Sequence, residues 1–184
     1  MFEKIRKKIG RYYLRKEQAR FEHEPRLLNL KQARKIGILY TLNDVPDYEK
    51  VSEFVSELQF DHKDVKALGF VRNINLISRF LPKLSFDFFS RKDLTWFYKP
   101  IHNKVKDFIE KDFDLLINLS LTENFPLKYI SGLSRSFCRV GTFSEENTSY
   151  YDLMIEIKPS TSLDEYLGQI RYYLTIINTN AERK

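Results

Sequence analysis

Lys35-Ile36-Gly37-Ile38-Leu39-Tyr40-Thr41 is the stretch whose reading decides the fold. It is a β-branched and apolar run, short enough for a buried strand, and it gives way at once to the polar turn Leu42-Asn43-Asp44-Val45. Residues 46–59 then carry Tyr48, Val51, Val55 and Leu58 at helical spacing, with Asn43 or Asp44 available as N-cap and Pro46 in the first turn. Residues 65–71 return to strand character. A strand, a helix and a second strand in this order form the repeating unit of a parallel sheet.

The alternation continues to the C-terminus. A short helix is expected at 75–81, ended by Pro82, and a third strand at 86–89. A helix at 103–111 leads into Phe113-Asp114-Leu115-Leu116-Ile117-Asn118-Leu119, the most strand-like segment of the chain. Thr122 or Asn124 caps the next helix, which has Pro126 near its start and Gly132 near its end. Strands follow at 137–140 and 152–157. Ser162-Leu163-Asp164-Glu165 opens the last helix as a capping box, with Leu163, Tyr166, Leu167, Ile170, Leu174 and Ile177 on one face. Residues 91–100, rich in aromatics, fit neither pattern. The expected fold is α/β: a Rossmann-like, doubly wound, mostly parallel sheet of five or six strands over residues 36–178. A basic helical arm at 1–35 precedes it and a polar tail at 179–184 follows.

Composition narrows the class. With 184 residues, 42% hydrophobic and 30% charged, the chain is of ordinary globular type, which excludes wholesale disorder and a collagen-like repeat. A single cysteine, Cys138, excludes an internal disulfide and reads as a small buried hydrophobe. The opening ten residues are positive but lack the apolar region of a secretory signal, and no apolar run approaches a membrane span. A cytoplasmic home is expected, or one peripheral to the inner membrane.

Several chemistries are missing their residues. The glycines at 10, 37, 69, 132, 141 and 168 are isolated, so neither GxGxxG nor a P-loop is present. His23, His62 and His102 lie far apart, and Cys138 has no adjacent base. No catalytic residue, metal or cofactor is expected. One polar set stands out because open α/β sheets bind ligands beyond the carboxyl ends of their strands. Thr41, Asn43 and Asp44, then Ser120, Thr122 and Glu123, and further along Thr142, Glu145 and Glu146, fall at such ends. The competing reading is that they cap helices and solvate loops.

Charge gives the strongest signal. Residues 1–35 hold twelve Lys or Arg against four Glu, a net of +8, whereas the remainder carries nineteen against twenty-one, a net of −2. Within the arm, Lys4, Lys8, Arg11 and Arg15 trace one helical stripe, and Lys7, Lys16 and Arg20 widen it. Phe2, Ile5, Ile9 and Tyr12 trace another. Such a helix suits nucleic-acid phosphates or anionic lipid headgroups, and the alternative is an apolar stripe packed on the body with the charges solvated. A second basic and aromatic mixture, Phe86, Phe88, Phe89, Trp96, Phe97 and Tyr98 with Arg91, Lys92 and Lys99, suits either stacked single-stranded nucleic acid or an edge strand packed beneath a helix.

At Asp114-Leu115-Leu116-Ile117-Asn118-Leu119-Ser120, Pro126-Leu127-Lys128-Tyr129-Ile130-Ser131-Gly132-Leu133-Ser134 and Ser136-Phe137-Cys138-Arg139-Val140-Gly141, the chain resembles an uncharacterised family of small Bacteroidota proteins over nearly its whole length. The same stretch is more distantly similar to the N-terminal, acceptor-side half of heptosyltransferase-type GT-B glycosyltransferases. That resemblance matches Asn43-Asp44-Val45 to the family's Gly-Asp turn, with Asn43 in place of the glycine and without the donor-binding half. It implies an inherited fold without transfer activity. The leading expectation is therefore a non-enzymatic module that docks through its basic helix on structured RNA or a ribonucleoprotein. The alternatives are a peripheral membrane or protein-assembly adaptor using the same helix, and a degenerate sugar or nucleotide-sugar binder. A small-molecule ligand ranks behind a macromolecular one. The position of Phe2, Ile5 and Ile9 separates the first two: they face lipid in one and the protein body in the other.

Overall fold

The strand read at 35–41 runs Lys35–Leu42 (β1) and is buried at every position after the first. A computed structural model describes residues 2–80 and 83–177; Pro82 and the tail at 179–184 lie outside the described residues. The chain begins with α1 (Phe2–Gln18) and an extended connection, then follows β1 with α2 (Val45–Phe60), β2 (Asp64–Val71) and β3 (Phe86–Ser90). Next come α3 (Asn103–Glu110), β4 (Leu115–Asn118), α4 (Phe125–Leu133), β5 (Cys138–Thr142), β6 (Leu153–Ile155) and α5 (Leu163–Ile176). The six strands form one sheet in the order β3-β2-β1-β4-β5-β6, and each neighbouring pair is parallel. This is the strand order of a Rossmann-like sheet, with its reversal between β1 and β4.

Alternation along β1 divides the core. Ile36, Ile38, Tyr40 and Leu42 pack with Tyr48, Val51 and Phe54 of α2 and with Tyr166, Leu167 and Ile170 of α5. Leu39 looks to the other face, where Val105 and Phe108 of α3 meet Leu127 and Ile130 of α4. Covering both faces is what a parallel sheet requires, because its crossover helices lie on them. The caps are the ones the sequence offers: Asp44 accepts from Asp47 N for α2, Asn124 from Leu127 N for α4, and Ser162 and Glu165 form the capping box of α5.

Two details differ from the sequence reading. The helix expected at 75–81 is a 3-10 turn, Ile74–Arg79, capped by Asn73, since six residues are too few for a cooperative α-helix. Residues 91–100 contain a second 3-10 turn, Arg91–Asp93, closed by an antiparallel bridge between Leu94 and Pro100. β3 is an edge strand, with Phe86 and Phe89 buried and Phe88 among Tyr48 and Phe80.

Helix α1 packs on α4. Leu14 is fully buried with Phe125, Tyr129 and Tyr150. Tyr13 stacks on Phe97 at 4.8 Å, and Arg6 donates to the carbonyl of Trp96 while lying 4.5 Å over the Tyr98 ring. Glu17 accepts from Lys99 at 2.6 Å and from the Tyr129 hydroxyl at 2.8 Å.

Candidate functional site

The polar ends of the strands meet at the sheet's reversal. After β1 the chain leaves for α2 on one face, and after β4 for α4 on the other, so the ends of β1 and β4 bound a crevice. Its floor is tied together by side chains. Thr41 and Ser120 share a hydrogen bond of 3.0 Å between their hydroxyls, and Asn124 Nδ2 donates to Thr41 Oγ1 at 2.9 Å. Asn118 Nδ2 donates to the Tyr151 hydroxyl at 2.6 Å, and Asn118 Oδ1 accepts from Ser120 N. Burial pushes the Tyr151 hydroxyl pKa up to about 12, so it stays protonated.

The expected crevice residues separate into two groups. Ser120, Thr122 and Glu123 line a single cavity of about 470 Å³, together with Thr142, Glu145 and Glu146. Asn43 and Asp44 are elsewhere in role: Asn43 Nδ2 donates to Asp47 Oδ2, and Asp44 caps α2. Neither lines that cavity.

Among the lining residues that escaped the sequence reading are two that are polar and enclosed. Lys128 on α4 is only 8% exposed, and Asn147, in a 3-10 turn after β5, is buried. A signal for Lys128 was present: in Phe125-Pro126-Leu127-Lys128-Tyr129-Ile130-Ser131-Gly132-Leu133 it is the one charged residue of a helix apolar on every side, and such helices are buried.

The seven basic residues of the arm also divide. Lys7 and Arg11 turn toward the body, where Lys7 lies 4.0 Å and Arg11 3.8 Å from Glu123, and Arg11 pairs with Glu146 at 2.8 Å. Lys4, Lys8, Arg15 and Lys16 face solvent on α1, and Arg20 does so in the turn beyond it. The apolar stripe faces solvent with them. Phe2 is 83% exposed, Ile5 48% and Tyr12 64%, with Ile9 half-buried. Trp96, whose carbonyl Arg6 holds, is 57% exposed at the edge of the same surface.

Among the described residues no group of three or more His, Cys, Asp and Glu stands together as a metal site. His23 bonds Asp152 at 2.9 Å and His102 accepts from Lys104 N.

Residues 6–177 match the model of a family of unknown function, DUF6913. The chain belongs to that family. No curated protein and no solved structure matches it. The span of the DUF6913 match takes in α1 from Arg6 onward, the whole sheet and α5, so the packed face of α1 from Arg6 to Gln18 lies within the family's span.

Proposed function

We propose that this DUF6913 chain docks on the anionic surface of a membrane through the outer face of α1. The observation that supports this reading most is the exposure of Phe2, Ile5 and Tyr12 beside Lys4, Lys8, Arg15 and Lys16. Each cation near an anionic leaflet is worth about 1 kcal/mol, so four of them supply roughly 4 kcal/mol. Side chains of the size of Phe and Ile add about 1.5–3 kcal/mol each on going from full exposure to full burial, and less where, as for Ile5, part of the side chain is already covered. A helix lying in the interface uses both terms. Structured RNA would use the cations and leave the apolar stripe in water, which makes it the weaker reading of the same surface. No helix among the described residues is long and apolar enough to cross a membrane, so docking in this reading is in-plane.

The test is co-sedimentation with vesicles of phosphatidylglycerol and phosphatidylcholine, compared with phosphatidylcholine alone and with a structured RNA. Two variants accompany the wild type: Lys4, Lys8, Arg15 and Lys16 all changed to Glu, and Phe2, Ile5 and Tyr12 all changed to Ser. Docking on lipid predicts that both variants lose vesicle binding and that the wild type keeps part of it in high salt. Binding to RNA alone, lost in the charge variant and intact in the Ser variant, would replace this reading with the nucleic-acid one. Binding to neither by any of the three would refute both.

A further inference from the structure

Lys128 is an anomaly of charge accounting. A lysine enclosed to this degree is ordinarily paired, and here the stem is covered while the ammonium reaches only the crevice. Among the described residues its ammonium makes no hydrogen bond and no ion pair. The carboxylates nearest in influence are Glu123 and Glu146, and both are engaged by Lys7 and Arg11 from α1. Burial pulls the Lys128 pKa below the usual lysine range against the opposing pull of those two glutamates. The crevice it lines holds a second orphan. Asn147 gives its Nδ2 to the Thr142 carbonyl at 2.7 Å, but its buried Oδ1 meets no donor among the described residues.

An unmatched positive charge and an unmatched acceptor therefore line one cavity of about 470 Å³ at the carboxyl ends of β4 and β5. We infer that the crevice binds a small carboxylate carrying a hydroxyl or amino group, with the carboxylate on Lys128 and the hydroxyl or amino donor on Asn147 Oδ1. The charge favours one negative charge over two. A phosphate dianion would bring a second negative charge against Glu145 and the two paired glutamates, with Lys128 the single free cation among the described lining residues to receive it. Ser144, whose hydroxyl caps no helix, and Thr122 line the same cavity and offer further donors. The inference is independent of what the outer face of α1 meets.

The experiment is a titration of the full chain, followed by amide NMR, with L-lactate, L-serine and inorganic phosphate. Lactate or serine is expected to shift the amides of Ser120, Thr122, Ser144 and Asn147 saturably, with a dissociation constant on the order of 1 mM. Lys128→Met keeps the length of the side chain without the charge and should weaken that binding by about tenfold or more. In the wild type, acetylation of Lys128 by acetic anhydride, read by mass spectrometry, should slow when the carboxylate is present; this decides the matter without a variant. Saturation by phosphate but by neither carboxylate, crevice amides that do not move, binding undiminished in Lys128→Met, or acetylation of Lys128 unaffected by either carboxylate would overturn the inference.

Discussion

Gly10 stands in the middle of α1, where glycine costs a helix about 1 kcal/mol relative to alanine. Its surroundings account for it. A Cβ there would lie 2.4 Å from the Phe97 carbonyl oxygen and 2.6 Å from the Phe125 ring, so the close approach of α1 to the body needs a residue without a side chain. Gly10→Val should therefore destabilise the protein by roughly 1–3 kcal/mol, as overpacking does. Thermal unfolding checks the size, and faster tryptic cleavage in the segment after α1 checks that the helix has loosened; a gain in stability would contradict this account of the contact. At the centre of the sheet, Ile117 is fully buried and paired in register with Ile38 and Val140. Ile117→Asp would bury an unpaired carboxylate and is expected to cost about 3–5 kcal/mol or prevent folding. A soluble variant with an unchanged thermal midpoint would refute the placement of β4.

Among the elements, the edge strand β3 is held by charge as well as by rings. Burial alone would raise the Asp87 pKa, but Lys66 at 2.7 Å and Lys104 at 2.9 Å outweigh it and hold the carboxyl below its ordinary value. A carboxyl depressed by folding stabilises the folded state above its unfolded pKa, near 4, and that contribution is lost as pH falls through the lower folded value. Asp87→Asn should thus cost about 1–3 kcal/mol at neutral pH, and the gap from wild type should close in acid as pH falls below the unfolded value, about 4, and through the lower folded one. Denaturant melts across pH measure it, and a gap independent of pH would contradict the ion pairing. Strands and long helices were legible in the sequence because burial on both faces leaves continuous apolar runs and because Asp44, Asn124 and Ser162 mark helix starts. The packed face of α1 was not legible. Periodicity selects the stripe of Phe2, Ile5, Ile9 and Tyr12, whereas the docking uses Gly10, Leu14, Glu17 and Gln18, whose partners are distant in the chain. Gln18 Nε2 donates to the carbonyls of Gly132 and Ser149, contacts that no local pattern encodes.

For the molecule as a whole, the charge split of +8 against −2 was plain in the sequence, and its division within α1 was not. Lys7 and Arg11 are drawn to Glu123 and Glu146 at the crevice, which leaves Lys4, Lys8, Arg15 and Lys16 outside with the apolar stripe. The crevice was legible through Ser120, Thr122 and Glu123, while Asn43 and Asp44 were absorbed by the start of α2. One helix thereby has two jobs: its inner face neutralises the crevice rim, and in the proposed function its outer face meets a membrane. The single tryptophan of the chain, Trp96, stands exposed beside that outer face, so its fluorescence reports directly on the surface in question. Titration with anionic vesicles should shift its emission to shorter wavelength, as an indole leaving water does, with no such shift on phosphatidylcholine alone. An emission spectrum unmoved by anionic vesicles would contradict membrane docking through α1.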